Sequence, residues 1–436
     1  MLPRLLFTGL LLCPVLASAQ SLDSSAEQSS AGILRLDNVF LILCGALVML
    51  MQAGFTLVEV GTVRAKNSLT VVMKNGACFC LSTLTFLALG FSLMFSETWR
   101  GLFGSDFLWL SSRDQSSEVW AFALFQTMIA AAAATIATMA MGERTRYRGY
   151  LVFTAVFSCL IYPLTGHWSW GSLAPSIQEG EGWLQARGFL DFAGAAVVHI
   201  SAGAAALAGI IVVGPRSGRF SKRGTPLFIP PHNIPLAALG TFLLIFGWFG
   251  LTCGSLLEAR FSIGRIGVNT IAAAAAGGFT GMIAFWWRDG RAEPMSLLHG
   301  IVGGLVAITA ACPVVTPAFA VIIGIIAGLI ATFGAELILR LKLDDVVNAV
   351  PIFLFNGLWG TIALSLFLQD GFTTQQFALQ VAGAFFTAIT SFFLSLGTFY
   401  VLSRTIGLRP GVEEEEDGLD FSEHASNAYP DFGGDS

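Results

Sequence analysis

Charged residues are scarce in this chain. Asp, Glu, Lys and Arg make up 12% of its 436 residues, whereas 55% of the residues are hydrophobic. A soluble domain normally contains about twice that fraction of charge, which keeps its surface hydrated. The shortage therefore excludes a water-soluble globular protein, and the long apolar runs predict an all-α polytopic membrane protein.

Motifs for metal, redox and nucleotide chemistry are also missing. The seven cysteines do not have the spacing of a disulfide framework or a zinc site, and six of them lie in apolar stretches that favour a packing role. The chain has neither a phosphate-binding loop nor a dinucleotide fingerprint, so nothing indicates an ATP-driven pump. We therefore expect a protein that is not an enzyme, has no cofactor or metal, and does not bind nucleic acid.

Eleven apolar segments are present instead. Each approaches the length of about 20 residues that a membrane-spanning helix needs. The segments lie near residues 38–62, 70–96, 119–142, 147–166, 191–213, 233–254, 265–287, 295–314, 317–340, 350–368 and 377–403. The chain is therefore predicted to cross the lipid membrane eleven times.

The first twenty residues have the composition of a cleavable secretory signal. They contain Arg4, the apolar run 5–16 and the small residues Ala17-Ser-Ala19, which are the three parts of such a signal. The alternative is an additional helix that is not cleaved. A signal peptide at residues 1–19 leaves the mature N-terminus outside the cell.

The charges of the loops give an independent test of that orientation. With the N-terminus outside, Lys and Arg concentrate in the loops that face the cytoplasm, as the positive-inside rule requires. These inner cations are Arg64 and Lys66; Arg144, Arg146 and Arg148; Arg216, Arg219, Lys222 and Arg223; Arg288 and Arg291; and Arg340 and Lys342. An odd number of spans then places the C-terminus in the cytoplasm.

Changes in composition divide the chain into consecutive regions. A cationic segment rich in proline separates two membrane-embedded halves and is predicted to be a cytoplasmic loop. The predicted regions are the signal peptide at 1–19, the first half at 33–214, the linker loop at 215–232, the second half plus the last helix at 233–405, and a tail at 406–436.

The tail is acidic and interrupted by glycine, with Glu413 to Asp417 at its centre. This composition is typical of a solvated, disordered end. The alternative is an arm that docks on the basic inner loops, anchored by the apolar residues Leu419 and Phe421. In that case its carboxylates would meet cations that include Arg144, Arg146, Arg148 and Arg219.

Two spans begin with the same arrangement of residues. Asp191 precedes His199 by eight positions, and Asp345 precedes Phe353 by the same distance. Asp191 is placed to cap a helix with its carboxylate, and an ionisable residue such as His199 at membrane depth commonly marks a pathway. A histidine satisfied by a neighbouring helix is the alternative. The shared spacing indicates an internal duplication with the site at the interface of the repeats.

Ionisable residues also occur in the first two spans. Glu59 lies within the first span beside small residues and is interpreted as an internal tether between helices, with a proton-carrying role as the alternative. Lys74 and Asn75 lie near the start of the second span. We expect Lys74 to extend its amine to the inner interface of the membrane.

Several longer motifs resemble those of the ammonium transporter family (Amt/Mep/Rh), in the same order and over nearly the whole chain. They are Met51-Gln-Ala-Gly-Phe, Val63-Arg-Ala-Lys-Asn67, Met139-Ala-Met-Gly-Glu-Arg144, Gly166-His-Trp-Ser-Trp-Gly171, Asp191-Phe-Ala-Gly194 through His199, Gly247-Trp-Phe-Gly250, Gly304-Leu-Val-Ala-Ile-Thr309, Leu358-Trp-Gly360 and the acidic tail. The resemblance implies eleven helices with an inverted five-plus-five repeat, assembled as a homotrimer with one pore per subunit. It also implies ammonium or ammonia transport across a bacterial inner membrane, and a PII-type signalling protein as a possible partner at the cytoplasmic face.

The resemblance further assigns roles to individual residues. Trp170 and Ser255 match an outer recruitment pair for ammonium, Asp191 matches the structural acid beneath it, and His199 matches the first of two lumen histidines. Thr309 closes a motif beside the pore.

Four positions depart from the family pattern. The gate positions that are usually Phe are Ile129 and Leu251, and the second lumen histidine is replaced by Phe353. His299 occupies a position near the pore that is usually small or an amide, where it either restores the second histidine or packs against neighbours. The retained residues predict a transporter, and the departures leave open a poorly conducting ammonium sensor that uses the same cavity.

Overall fold

The computed structural model describes residues 9–106, 116–174, 180–260, 262–369 and 371–430, and side chains from Arg35 onward within them. Helices dominate these ranges. Residues 1–8 of the predicted signal peptide lie outside the described residues. The remainder of that segment is the beginning of the first helix, so cleavage stays a prediction.

The helices of the first half run from Gly9 to Val213, with a short two-stranded hairpin between the second and third spans. Three of the spans contain π-helical turns, which open the helix by one residue. The elements are α1 (Gly9–Thr62); α2 (Ser68–Thr85), the π turn Phe86–Gly90 and α3 (Phe91–Phe95); β1 (Thr98–Trp99) and β2 (Phe103–Gly104); α4 (Ser117–Met139); α5 (Tyr147–Val156), the π turn Phe157–Ile161 and α6 (Tyr162–Trp170); and the π turn Ala195–Ile200 with α7 (Ser201–Val213).

The second half repeats this organisation with longer continuous helices, and two short helices follow it in the tail. The elements are α8 (Ile234–Gly254); α9 (Ile263–Asp289); α10 (Pro294–Ile308); α11 (Pro317–Arg340); the π turn Val350–Phe355 with α12 (Asn356–Leu366); α13 (Thr374–Thr405); α14 (Val412–Asp417); and α15 (Leu419–His424).

Nine helical stretches in the described ranges are long and apolar enough to cross a membrane. Two further apolar helices are shorter, Pro294–Ile308 and Val350–Leu366. These two occupy the eighth and tenth positions at which the sequence predicts a span. The chain is thus a mostly helical membrane protein whose apolar segments follow the predicted order.

Glycines bring the helices of the second half into backbone contact. A Cβ on Gly300 of α10 would lie 2.3 Å from the carbonyl oxygen of Gly277 on α9, and one on Gly328 of α11 would lie the same 2.3 Å from that oxygen. Carbon atoms do not approach an oxygen this closely, so a larger residue at either position would separate the helices. The contact fixes α10, which carries His299, against its two neighbours.

Asp191 and Asp345 cap corresponding π turns in the two halves. One carboxylate oxygen of Asp191 accepts hydrogen bonds from the amides of Ala196 (3.0 Å) and Val197 (2.8 Å). The carboxylate of Asp345 accepts from the Val350 amide at 2.7 Å. Each acid therefore satisfies free amides at the beginning of a helix. This local correspondence supports the predicted duplication.

Lys74 forms a buried ion pair and does not extend to the membrane interface, so that expectation was wrong. Its amine lies 2.6 Å from both carboxylate oxygens of Glu59 on α1, and Asn75 donates to the same carboxylate at 3.2 Å. The two charged side chains are 1% and 0% exposed. A carboxylate within reach in the apolar interior binds the amine more strongly than a long path to water would. Glu59 is the tether that the sequence predicted.

The loops that carry these cations are joined by a largely buried ion cluster, which we call the loop cluster: Arg64, Glu143, Arg144, Arg216, Arg219 and Asp344. Arg216 donates to Glu143 at 2.7 Å and to Asp344 at 2.8 and 3.0 Å, and Arg64 pairs with Glu143. Burial raises the pKa of Asp344, but Arg144 and Arg216 outweigh that effect and hold it well below its usual range. Burial also raises the pKa of Glu143, and Arg216 and Arg64 again reverse the effect. Both carboxylates are therefore ionised in the folded protein.

The tail is docked on other parts of the chain, so the interpretation of a solvated end was wrong for the described residues 406–430. The carboxylate of Asp420 accepts hydrogen bonds from the amides of Leu69 (2.9 Å) and Thr70 (2.8 Å), at the beginning of α2. Glu415 accepts from the Ser217 amide at 2.6 Å. The tail thereby connects the first inner loop with the linker between the halves.

Two details of the predicted docking were also wrong. Leu419 is fully buried, but Phe421 is 69% exposed in the part of the chain that the structure describes, so it does not act as a buried anchor there. Arg146 pairs with Glu414 at 3.5 Å as expected, whereas Arg219 pairs with the carboxylate of Asp344 and Arg144 donates to the backbone carbonyl of Asp344. Both guanidinium groups bind Asp344 because it lies in an adjacent loop.

Candidate functional site

Trp170 and Asp191 are joined at the outer end of the site. The Trp170 indole donates to the backbone carbonyl of Asp191 at 2.6 Å, and both residues are largely buried. Gly194 lies under the indole with φ of +95°, and a Cβ there would lie 3.0 Å from the Trp170 ring. The left-handed backbone and the close approach both require glycine. The ring position of Trp170 is therefore set by the capped turn that leads to His199.

Ser255 ends α8 on a constrained loop. Its hydroxyl donates to the carbonyl of Leu251 at 2.8 Å, and the side chain is partly exposed. The chain then passes through Leu257 in a left-handed conformation, with φ of 62°. The carboxylate of Asp37 on α1 accepts from the Ala259 amide at 2.7 Å. The loop thus holds Ser255 in place while leaving its oxygen lone pairs accessible.

Ile129 and Leu251 are fully buried aliphatic residues. They belong to one continuous apolar core that also contains Trp170, Trp248 and Phe353. Phe125, one turn before Ile129 on α4, packs its ring where a Cβ on Gly254 would lie, next to Ser255. An aromatic ring therefore remains beside the outer serine although the two gate positions are aliphatic.

Four rings form a stack in the middle of the molecule, and we call the space they border the lumen. His199 stacks on Trp248 with ring centroids 5.2 Å apart and planes at 15°, and its centroid lies 5.8 Å from that of Phe353, with the planes at 30°. Phe55 meets Phe353 edge-on at 6.0 Å. The Trp248 indole donates to the Thr309 hydroxyl at 3.0 Å, which fixes the orientation of the stack.

Neither ring nitrogen of His199 has a hydrogen-bond partner among the described residues, although the side chain is fully buried. Buried polar atoms are nearly always paired, because each unpaired group costs about 1–3 kcal/mol. The described residues therefore leave both nitrogens of His199 free to form a hydrogen bond.

A narrow cavity begins at Phe353. It leaves about 20 Å³ for the centre of a water-sized molecule, which is enough for one small ligand. We call it the inner cavity. Its walls are Phe55, Val58, Met139, Ala237, Thr241, Leu244, Met295, Leu298, His299, Val302, Val347, Ile352 and Phe353. Two of these side chains, Thr241 and His299, carry polar atoms, so the cavity offers few hydrogen bonds.

His299 is linked through Asn348 to the segment that leads into the π turn Val350–Phe355. The Asn348 amide nitrogen lies 3.3 Å from Nδ1 of His299. Nε2 of His299 is buried and has no partner among the described residues. The structure thus brings His299 and Phe353 to the same cavity, and His199 is not among the residues that line it.

The structure joins most of the predicted site residues into one column. Trp170, Asp191, His199, Phe353 and His299 follow one another through the contacts above, and Thr309 holds Trp248. Sequence reasoning did not identify Phe55, Trp248 or Asn348 as parts of this column. Phe55 and Trp248 lie in motifs that resemble the family pattern, which could have indicated them, whereas Asn348 has no comparable signal. No group of three metal-binding side chains is present in the described ranges.

Comparison with known proteins identifies the relatives of the chain. The sequence profile of the Ammonium Transporter Family matches residues 39–429. Ammonium transporter Amt2 of Archaeoglobus fulgidus is 42% identical over 424 residues, which cover 92% of this chain and 89% of that protein. Ammonium transporter Amt1 of Haloferax mediterranei is 34% identical over 417 residues, with 91% and 80% covered.

Solved structures give the same result. A structure described as a sensor Amt protein superposes with a TM-score of 0.87 at 37% identity and covers 91% of this chain and 100% of that one. The crystal structure of Mep2 from Candida albicans superposes with a TM-score of 0.79 at 28% identity and covers 87% of each chain.

Proposed function

This chain belongs to the ammonium transporter family, and we propose that it moves ammonium or ammonia across the cell membrane through a hydrophobic pore in each subunit. It is a transport protein and not an enzyme. The observation that carries the proposal is His199, which is fully buried beside the rings of Trp248 and Phe353 with two unpartnered nitrogens. A buried histidine whose nitrogens have no partner in the protein is suited to bind a polar ligand.

The outer end of the column recruits the cation. The indole of Trp170 attracts ammonium through its π face, and the Ser255 hydroxyl replaces part of the ion's water shell. Asp191 acts indirectly, because its carboxylate caps the π turn while its backbone carbonyl holds the indole. These residues favour a small cation that can donate hydrogen bonds.

The apolar segment below the outer end selects against metal cations. Ile129 and Leu251 supply no ligand atoms, so a potassium ion entering there would lose its water without compensation. Ammonium of nearly the same size can instead lose a proton and continue as a neutral molecule. An N–H bond of ammonium breaks as an N–H bond forms on His199, and the bonding electrons remain on ammonia as its lone pair.

The inner cavity then receives neutral ammonia. Phe353 cannot accept a proton, so the chain lacks a second histidine at that position. His299 supplies the polar nitrogen on the far side of Phe353. Thr309 acts through Trp248, whose indole it holds against the His199 ring.

The proposed assembly is a homotrimer of subunits with eleven spans, in which the two shorter apolar helices, Pro294–Ile308 and Val350–Leu366, also cross the membrane. The inverted five-plus-five repeat relates residues 33–214 to residues 233–405, with the linker at 215–232. The cations of the loops support a topology in a bacterial inner membrane with the linker and the tail in the cytoplasm and the N-terminus outside. The signal peptide at 1–19 belongs to the same topology.

The tail is proposed to regulate the pore. Asp420 and Glu415 connect it to the first inner loop and to the linker, both of which meet the loop cluster near the inner end of the column. A PII-type signalling protein that displaced or pressed on the tail would act on these connections. The docked tail thus supplies a cytoplasmic surface that such a partner could bind.

The alternative function is an ammonium sensor that binds in the lumen and conducts poorly. Two observations favour it: the similarity to the structure described as a sensor Amt protein, and Phe353, which closes the lumen between His199 and Phe55. A sensor would need a separate partner to pass on the signal.

One experiment separates the two functions. Purified protein in liposomes on a solid-supported membrane is given pulses of ammonium. A transporter gives a sustained current that potassium neither carries nor blocks, and His199→Ala reduces it to the level of protein-free liposomes. A brief binding transient without sustained current would support the sensor, and no response to ammonium would contradict both.

A further inference from the structure

Asn348 has a backbone conformation that most residues avoid. Its φ is +56°, in the left-handed region, where a residue other than glycine costs on the order of 1 kcal/mol. Asn tolerates this region better than other side chains, which would make it an ordinary turn residue. Its amide, however, is directed at His299 on another helix and not at its own turn.

The contact determines which tautomer of His299 is present. An amide nitrogen is only a donor, so Nδ1 of His299 accepts the hydrogen bond from Asn348. A neutral imidazole with a bare Nδ1 carries its proton on Nε2. Nε2 is buried and has no partner among the described side chains, and the ring lines the inner cavity. The N–H at Nε2 is therefore the free donor of His299.

We propose that Asn348 is a positioning residue that holds His299 as a hydrogen-bond donor for neutral ammonia. A donor in an apolar cavity binds a ligand that has a lone pair. Ammonia has one, whereas ammonium has none and would be repelled by the positive end of the N–H dipole. The inference rests on the proposed function and deepens it, because it assigns different tasks to the two histidines.

The division of tasks follows from the surroundings of each ring. His199 has two free nitrogens between Trp248 and Phe353, so it can take up a proton. His299 has one nitrogen occupied by Asn348 and one N–H available. Proton uptake is therefore the task of His199, and retention of ammonia is the task of His299.

Two substitutions of Asn348 test the assignment with matched geometry. Asn348→Gly suits the left-handed backbone and removes the amide, so a residue needed only for the turn would be replaced without loss. Asn348→Asp keeps the shape but offers only acceptor oxygens, which reverses the hydrogen bond and places the proton of His299 on Nδ1. His299→Ala is the reference for complete loss of the ring.

The tautomer is read by NMR of full-length protein labelled with [15N]histidine. The chain has five histidines, and the signals absent from His299→Ala identify His299. We expect the Nε2–H form in the natural protein, both tautomers in Asn348→Gly and the Nδ1–H form in Asn348→Asp. The ammonium current should fall about tenfold in each variant, the scale of one lost hydrogen bond. The melting temperature of Asn348→Gly should stay the same or rise.

The outcomes separate this inference from the proposed function. If Asn348→Gly keeps both the current and the Nε2–H form, Asn348 is a turn residue and the inference is wrong, while the transport function stands. A further fall in current when Asn348→Gly is added to His299→Ala would also contradict it, because a positioning residue has no effect once the ring is gone. If the natural protein gives no sustained current, the proposed transport fails, and the NMR spectra still decide the tautomer.

Discussion

The buried pair of Glu59 and Lys74 allows a prediction of stability from its geometry. Both carboxylate oxygens of Glu59 lie 2.6 Å from the Lys74 amine, and the remaining contact is one amide hydrogen bond from Asn75 at 3.2 Å. Lys74→Met keeps the length of the side chain but leaves a buried carboxylate with that single neutral donor. Loss of one partner from a buried ion pair costs about 3–5 kcal/mol.

The companion variant removes both charges. In Glu59→Gln combined with Lys74→Met, the glutamine still accepts from Asn75 and no ion remains buried. Replacement of a buried pair by neutral groups is often close to neutral for stability, so the double variant should be more stable than Lys74→Met alone. The assay is the midpoint of thermal unfolding of the purified protein in detergent, followed by size-exclusion chromatography.

An exposed pair provides the matched control. Arg340 and Glu336 are one turn apart at 2.6 Å, with side chains that are 73% and 35% exposed. Arg340→Met should cost less than about 1 kcal/mol, because water screens such pairs. If Lys74→Met is as mild as Arg340→Met, or if the double variant is no more stable than Lys74→Met, the pair is not the tether inferred here.

Three further predictions concern the site and the cytoplasmic face. Gly194→Ala should lower both the unfolding midpoint and the ammonium current, because its Cβ would lie 2.4 Å from the Val198 side chain at a backbone φ of +95°; an unchanged current would show that the Trp170 ring is not set by this turn. Deletion of residues 411–436 should leave folded protein with reduced or unregulated transport, which flux measurements with and without a PII-type protein would test. Since the pKa of Asp344 is depressed in the folded state, its stabilising effect is present above the unfolded pKa of about 3.9 and is lost as the pH falls below it. The gap in unfolding midpoint between natural protein and Asp344→Asn should therefore persist from pH 7 to 5 and close only below about pH 4.

The loop cluster gives the tail a rigid surface on which to dock. Arg216 joins Glu143 of one loop to Asp344 of another, and its neighbour Ser217 donates to Glu415 of the tail. A change in the position of the tail can therefore affect the segment that leads into the π turn Val350–Phe355. This connection is short because Asp344 directly precedes Asp345, which caps that turn.

The sequence by itself determined the class of the protein and its family, and it predicted His199 as the first lumen histidine. Each of these properties depends on a short, continuous stretch of sequence. The length of an apolar run predicts a helix that spans the membrane. An acid followed eight residues later by His199 indicates a capped, interrupted span. The family motifs are likewise continuous stretches of residues. Such signals do not depend on how the helices pack, so they could be found without the structure.

Only the tertiary structure decided which polar groups meet. Lys74 turns inward to Glu59, Arg144 reaches Asp344, and Asn348 donates to His299, and none of these partners is close in sequence. Each pairing depends on the rotation of a helix and on backbone contacts such as that of Gly300 with Gly277. The same packing decided which of two neighbouring apolar residues is buried, since Leu419 is covered and Phe421 is not. Periodicity predicts that a residue faces the interior, but it does not specify the atom that it meets there.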